Sequence, residues 1–232
     1  MSTTAMDKPD SIAWLDDLLR RRHSCRGFLP DPVPRALTLR ILGTAQRTAS
    51  WCNAQPWQVH IVSGARLDAL RGDMLARAQA AAAASPELDW PKAYRGVYQA
   101  RRRECGWELY RAVGVGKGDR EGSARQSQEN FRGFGAPHLA IVTSEALLGT
   151  HGVMDCGAWV ANFMLAATAM GVAAIAQAAI ASWPDVLRKH VDIARDHRIV
   201  CGISFGFEDT RHRANNFRTT RAPLEEVVLW VD

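Results

Sequence analysis

Lysine is nearly missing from this 232-residue chain: 25 of its 29 basic residues are arginine. Arginine keeps its charge and offers a planar fork to phosphate or carboxylate. The bias therefore leaves two readings, a surface composition habit or an anionic ligand. Paired cysteines are missing too. Cys25, Cys52, Cys105, Cys156 and Cys201 are odd in number, widely spaced and without CxxC. That excludes a disulfide framework and points to reduced thiols in a cytoplasmic protein. No apolar signal core precedes "DDLLRRRH". No HExxH or other convincing metal spacing occurs: His190 and His197 are seven apart, and His151 with Asp155 lacks a third ligand. The basic clusters at 20–22 and 101–103 form no continuous stripe and come with no recognition helix or RNA-binding motif, so nucleic acid is set aside.

Hydrophobic content is 47% and charged content 23%, with a net charge of +5, the composition of a globular protein. A chain of this size buries roughly 70–75% of its unfolded surface. Residues 1–10 lack a periodic apolar pattern and are expected to be disordered. Residues 156–184 carry no charge, long enough to suggest a membrane span. The run is mostly alanine, holds Asn162 and Gln177 and is broken by Gly171. It reads as a buried helix, a turn and a buried strand, with no membrane partner.

Along the chain, Ser11 caps a helix to about 23 with Ile12, Leu15, Leu18 and Leu19 on one face. Pro34 starts a second helix to about 45. A strand follows over 57–63, with Trp57, Val59 and Ile61 on one side and Gln58, His60 and Val62 on the other. Helices are expected over 65–84, 92–113 and 153–170, and a short one from 183. Strands are expected over 138–143, 172–177 and 199–207, with an extended tail at 224–232. "GVGKGDREGS", residues 114–123, reads as a mobile loop; Lys117 is followed by glycine, so it is no P-loop. Helices and strands do not alternate in βαβ units, and no linker divides the chain. The expectation is one α+β domain over 1–232 with a mixed, mainly antiparallel central sheet.

"GISFG" at 202–206 matches a nucleophile elbow around Ser204. Only 28 residues follow, too few for the rest of a hydrolase fold, so a strand of small residues against another backbone is the better reading. "RHSCRGF" sets Arg22, His23, Ser24 and Arg26 close together, and "NNFRTTRAPL" offers Arg218 and Arg221. Together they could hold a phosphate; on local grounds alone solvated helix-end arginines are the better reading. "SWCNAQPWQVHIV" adds Asn53 and Gln55 around Pro56, amides that a rigid proline aims at a polar-edged ligand.

Seven segments in order resemble the FMN-dependent nitroreductase family: "RRHSCRGF", "PVP", "ASWCNAQPWQVHIV", "NFRGFGAPHLAIVTS", "MGVAAIAQAAI", "GISFGFED" and "NNFRTTRAPLEEVV". The "SWCN" run is closest to the nitrobenzoate-reductase-like subgroup. The resemblance implies an intertwined homodimer with two FMN sites at the subunit interface and a tail that wraps the partner. It implies FMN contacts from Arg22, His23, Ser24 and Arg26, and from Ser50, Trp51, Asn53 and Gln55, some of these from the partner chain. Asn130, Arg218 and Arg221 complete the implied set. Ala178 and Ala179 stand where many members have Glu-Gly, so a backbone role at flavin N5 is implied without the side chain. Arg26 is the implied cation for the charge that flavin gains on reduction. The implied activity is ping-pong transfer of electrons from NAD(P)H through FMN to a nitroaromatic. A quinone is the alternative acceptor. A non-catalytic basic binding protein is the alternative from another class.

Overall fold

The computed structural model describes residues 11–231; the expectation for residues 1–10 lies outside them. At its centre is a four-stranded antiparallel sheet in the order β1-β2-β4-β3. The strands are β1 (Trp57–Ser63), β2 (His138–Glu145), β3 (Ala173–Gln177) and β4 (His197–Gly206). Chain-distant β1 and β3 thus form the edges. The parallel element in the sheet's surroundings is one isolated bridge, Ser24 to Ala174.

Seven α-helices flank the sheet among the described residues: α1 (Ser11–Arg21), α2 (Arg35–Ala45), α3 (Gly64–Gln79), α4 (Gly96–Val113), α5 (Arg120–Gln128), α6 (Gly149–Ala169) and α7 (Pro184–His190). One core joins α2 and α6 to one face of the sheet. There Trp159 stacks on Phe163 at 5.4 Å, and Phe163 meets Phe205 edge-on at 5.5 Å. The other core joins α3 and α7 to the opposite face through Leu67, Leu70, Leu187 and Ile199. β2 is buried along both faces, with residues 139–142 at its apolar centre and Thr143 and Ser144 as buried polar residues after it.

Several expectations shift. Trp57 and Val59 do share the first core, but Ile61 is left 38% exposed because edge strand β1 is covered only in part. On α1, which packs against α6, only Leu18 is buried; Ile12, Leu15 and Leu19 stay exposed. α3 stops at Gln79, where Ala81 adopts a positive φ. α4 begins at Gly96, after the proline-containing segment, and buries no residue. Residues 120–123 of the expected loop open α5, because the Asp119 side chain accepts the Gly122 N–H at 2.8 Å and caps the helix. The tail makes no strand; it forms one 3₁₀ turn at Leu224–Glu226 and then runs exposed. α6 is one-sided: Cys156, Trp159 and Phe163 are buried, while Met154, Gly157, Ala158 and Ala161 face outward.

Candidate functional site

The two ends of the chain meet beside the end of α1. Residues 24–29 leave α1 and thread between β3 and the segment after β4. The Cys25 N–H donates to Ala174 O at 3.3 Å, the Asp209 N–H to Gly27 O at 3.0 Å, and the Leu29 N–H to Phe207 O at 2.9 Å. Gly27 is required here: a Cβ would stand 2.2 Å from the His212 ring. Asn215 clasps both segments from a buried position. Its Oδ1 accepts the Arg26 N–H at 2.7 Å, and its Nδ2 donates to Gly27 O at 2.9 Å and Asp209 O at 3.0 Å.

Between these segments lies a cleft of about 780 Å³ lined by Arg22, His23, Ser24, Arg26, Arg218 and Arg221, with Arg20, Cys105, Phe217 and Thr219. It adjoins a smaller cleft of about 340 Å³ past Cys105 and Arg221. The ion pairs nearby involve Arg21, His23, Arg101 and Arg211 instead. Asp16 also lines the cleft, but among the described residues none of Arg22, Arg26, Arg218 and Arg221 forms an ion pair with a carboxylate. Burial and the like charge of Arg221 lower the Arg22 guanidinium below its ordinary value. Burial likewise lowers Arg26, whose guanidinium sits 5.7 Å over the Phe217 ring. Two facing guanidiniums repel unless an anion sits with them. Arg218 donates through Nη1 to Asn215 O and Phe217 O, and Arg221 through Nη1 to Thr219 Oγ1 and Thr220 O. Their remaining nitrogens are left to form a fork for a ligand. His23 is already engaged: its ring nitrogens lie 3.0 Å from Arg21 O and 3.0 Å from Glu208 Oε1.

The second predicted group stands apart. Ser50, Trp51, Asn53 and Gln55 line no part of that cleft. They form an exposed turn in which Cys52, Asn53 and Gln55 all have positive φ, a conformation that non-glycine residues seldom hold outside functional or tightly constrained sites. α6 anchors it: the Trp51 N–H donates to Asp155 Oδ2 at 3.0 Å, and the Trp51 ring lies 4.4 Å from that of His151. So the His151–Asp155 pair, unhelpful as a metal site, holds this turn.

Ser204 is fully buried and donates to Gln177 Oε1 at 2.6 Å; it is no nucleophile in this setting. Gln177 in turn donates to Asn130 O at 2.9 Å. That buried bridge links Asn130 to the start of the 3₁₀ turn Ala178–Ser182, where Ala178 is exposed and Ala179 half-buried. The Asn130 side chain donates locally to Ser127 O. Sequence reasoning passed over Asn215, Phe217 and Glu208. The signal was present for Asn215, an amide beside Arg218 in the quoted "NNFR", but nothing local says that it is buried.

Arginines outside any ion pair converge on one cleft beside an antiparallel sheet, an arrangement whose chemistry suits a phosphorylated ligand. A sequence model of the Nitroreductase family matches residues 19–207, and the chain belongs to that family. It is 31% identical over 210 residues to Nitroreductase NfnB of Mycolicibacterium smegmatis, covering 90% of this chain and 89% of that protein. It is 31% identical over 228 residues to a 4-nitrobenzoate reductase of Nocardioides sp., covering 96% and 92%. The crystal structure of FMN-dependent NfnB from Mycobacterium smegmatis in complex with NADPH superposes with a TM-score of 0.91 at 28% identity, covering 96% of this chain and 100% of that one. The α+β nitroreductase fold expected from the sequence is the fold observed. No helix among the described residues is long and apolar enough to cross a membrane.

Proposed function

We propose that the protein is an FMN-dependent oxidoreductase that takes hydride from NAD(P)H and passes electrons to nitroaromatic compounds in alternating half-reactions. The observation that carries this reading is the set of arginines outside any ion pair, Arg22, Arg26, Arg218 and Arg221, on one cleft whose lining has a single carboxylate, Asp16, in a nitroreductase-family chain. When bound, FMN supplies the hydride chemistry at its ring. The chain's own part is binding and electrostatics. Arg22, Arg218 and Arg221 hold the phosphate. Arg26, its guanidinium over the Phe217 ring, keeps a cation where the flavin ring gains negative charge. Ser24 and the backbone at Ala178 and Ala179 add hydrogen bonds.

The working unit in this reading is a homodimer in the cytoplasm. The outward small-residue face of α6 and the exposed tail residues Leu224, Val227, Leu229 and Trp230 are its supports, since exposed apolar patches of this kind mark interfaces. A second copy then brings its Ser50, Trp51, Asn53 and Gln55 to the arginine cleft. The glycine turn at 114–119 belongs to a mobile cover that tunes substrate choice.

Mass spectrometry of the cofactor released from purified protein is the test. FMN, together with NAD(P)H oxidation that depends on 4-nitrobenzoate, is the expected result. FAD, or protein that refuses FMN, contradicts the reading.

A further inference from the structure

Four side chains run in line from the sheet to the tip of the Ser50–Gln55 turn. The Trp57 indole N–H donates to Gln46 Oε1 at 2.9 Å. Gln46 Nε2 donates to Gln55 Oε1 at 3.0 Å. Gln55 Nε2 donates to Asn53 Oδ1 at 3.1 Å. A carboxamide has an acceptor end and a donor end, and in isolation it can turn end for end. An indole nitrogen can only donate. That one constraint fixes Gln46 with its oxygen toward Trp57. It therefore fixes Gln55 with its oxygen toward Gln46, and Asn53 with its oxygen toward Gln55. The Asn53 NH₂ is left facing outward. Ser50 acts in the same sense: its Oγ accepts the Gln55 backbone N–H at 2.9 Å, which leaves its hydroxyl hydrogen to donate.

We propose that Trp57 and Gln46 are positioning residues that set the hydrogen-bond polarity of the Ser50–Asn53 edge, so that it presents donors to an acceptor on the ligand. The proposal rests on the FMN reading above, in which that acceptor is a carbonyl oxygen of the flavin's pyrimidine edge. The backbone agrees with a fixed outward face. Cys52, Asn53 and Gln55 hold φ of 50°, 56° and 49°, and such conformations persist where the surroundings over-determine them. Gln46 itself is exposed, so it contributes no core packing.

Gln46→Glu reverses the relay with almost no change of shape. The carboxylate still accepts from Trp57 but can only accept from Gln55. Gln55 must then turn end for end, Asn53 follows, and an oxygen faces the ligand acceptor. Asn53→Asp gives the same outward oxygen directly. Full-length wild type, both variants, their combination and Trp57→Phe are titrated with FMN by flavin fluorescence, and the midpoint potential of each bound flavin is measured. Gln46→Glu and Asn53→Asp are each expected to weaken FMN by about tenfold or more, the cost of one opposed buried polar contact. Both shift the potential in the same direction, and the combined variant is no weaker than the worse single one. Trp57→Phe loses less, because the amides are then free in either sense. Flavin-free Gln46→Glu melts like wild type. Wild-type affinity and potential in Gln46→Glu overturn the proposal, as do losses that add in the combination. Wild-type protein that takes up no FMN at all overturns the flavin reading instead, so the two failures are distinct.

Discussion

The arginine cleft and the amide turn are both rich in ligand-binding groups, yet they are built in opposite ways. The cleft draws on residues 22–26 and 215–221, nearly the whole chain apart, and is tied to the sheet through Ala174 and to itself through the buried Asn215. The turn is local, six residues long, exposed, and strained at Cys52, Asn53 and Gln55. In the proposed reading, one protomer finishes the phosphate end of a site and leaves the ring-recognition end facing outward. The difference teaches that folding of the single chain gathers the arginines from both chain ends, whereas the turn's amides are left exposed.

The comparison breaks most visibly if the arginines are removed. Arg22→Ala with Arg221→Ala deletes two charge-assisted contacts, each worth about 1.5–3 kcal/mol, and is expected to yield colourless protein that melts as a folded chain. Retained yellow colour would show that the phosphate lies elsewhere. Deleting residues 224–232 leaves the arginines in place but removes the exposed apolar tail. Light scattering and absorbance should then show dimer and flavin lost together; a flavin-loaded monomer would separate the two regions for good. Arg26→Ala sharpens the account within the cleft. It is expected to weaken FMN roughly tenfold and to lower the bound flavin's midpoint potential, since a cation near the ring favours its reduced, negative form. An unchanged potential in the reconstituted variant removes that role from Arg26.

The smallest effect concerns stability alone. His138, buried in β2, accepts the Val33 N–H through Nε2 at 2.9 Å and stacks on Phe205. Burial, with the Arg71 charge behind it, holds its pKa below the ordinary 6.5. The folded protein therefore keeps His138 neutral while the unfolded chain gains a proton below about 6.5. Its contribution is intact above that pH and is lost as pH falls further. Thermal melts of the flavin-free protein from neutral to mildly acidic pH should show a falling Tm that is blunted in His138→Phe. An equal acid slope in that variant rules the residue out.

The strands and most helices were legible because their signals are local: alternation in β1, proline before α2, and a charge-free run through α6 and β3. The arginines were legible as chemistry, but their convergence was not. Solvated helix ends and a phosphate site look alike until residues 22–26 and 218–221 are seen on one cleft. Asn215 escaped notice for the same reason, since an asparagine in "NNFR" gives no sign that it is buried between two backbone segments. The bare α4 and the one-sided α6 carry the reverse lesson: an apolar pattern says that a face wants cover, not whether its own chain supplies it.

The central claim is that the cleft of one copy and the turn of another make one site, and mixed dimers test it most directly. Co-expressing an Arg22→Ala, Arg221→Ala chain with an Asn53→Asp chain, each separately tagged, gives heterodimers in which one site receives intact arginines from one copy and an intact turn from the other. The account predicts that these heterodimers regain FMN and nitroreductase activity at about half the wild-type level, while each variant alone stays deficient. Heterodimers as empty as their parents would contradict it, for then both regions must belong to a site within one chain.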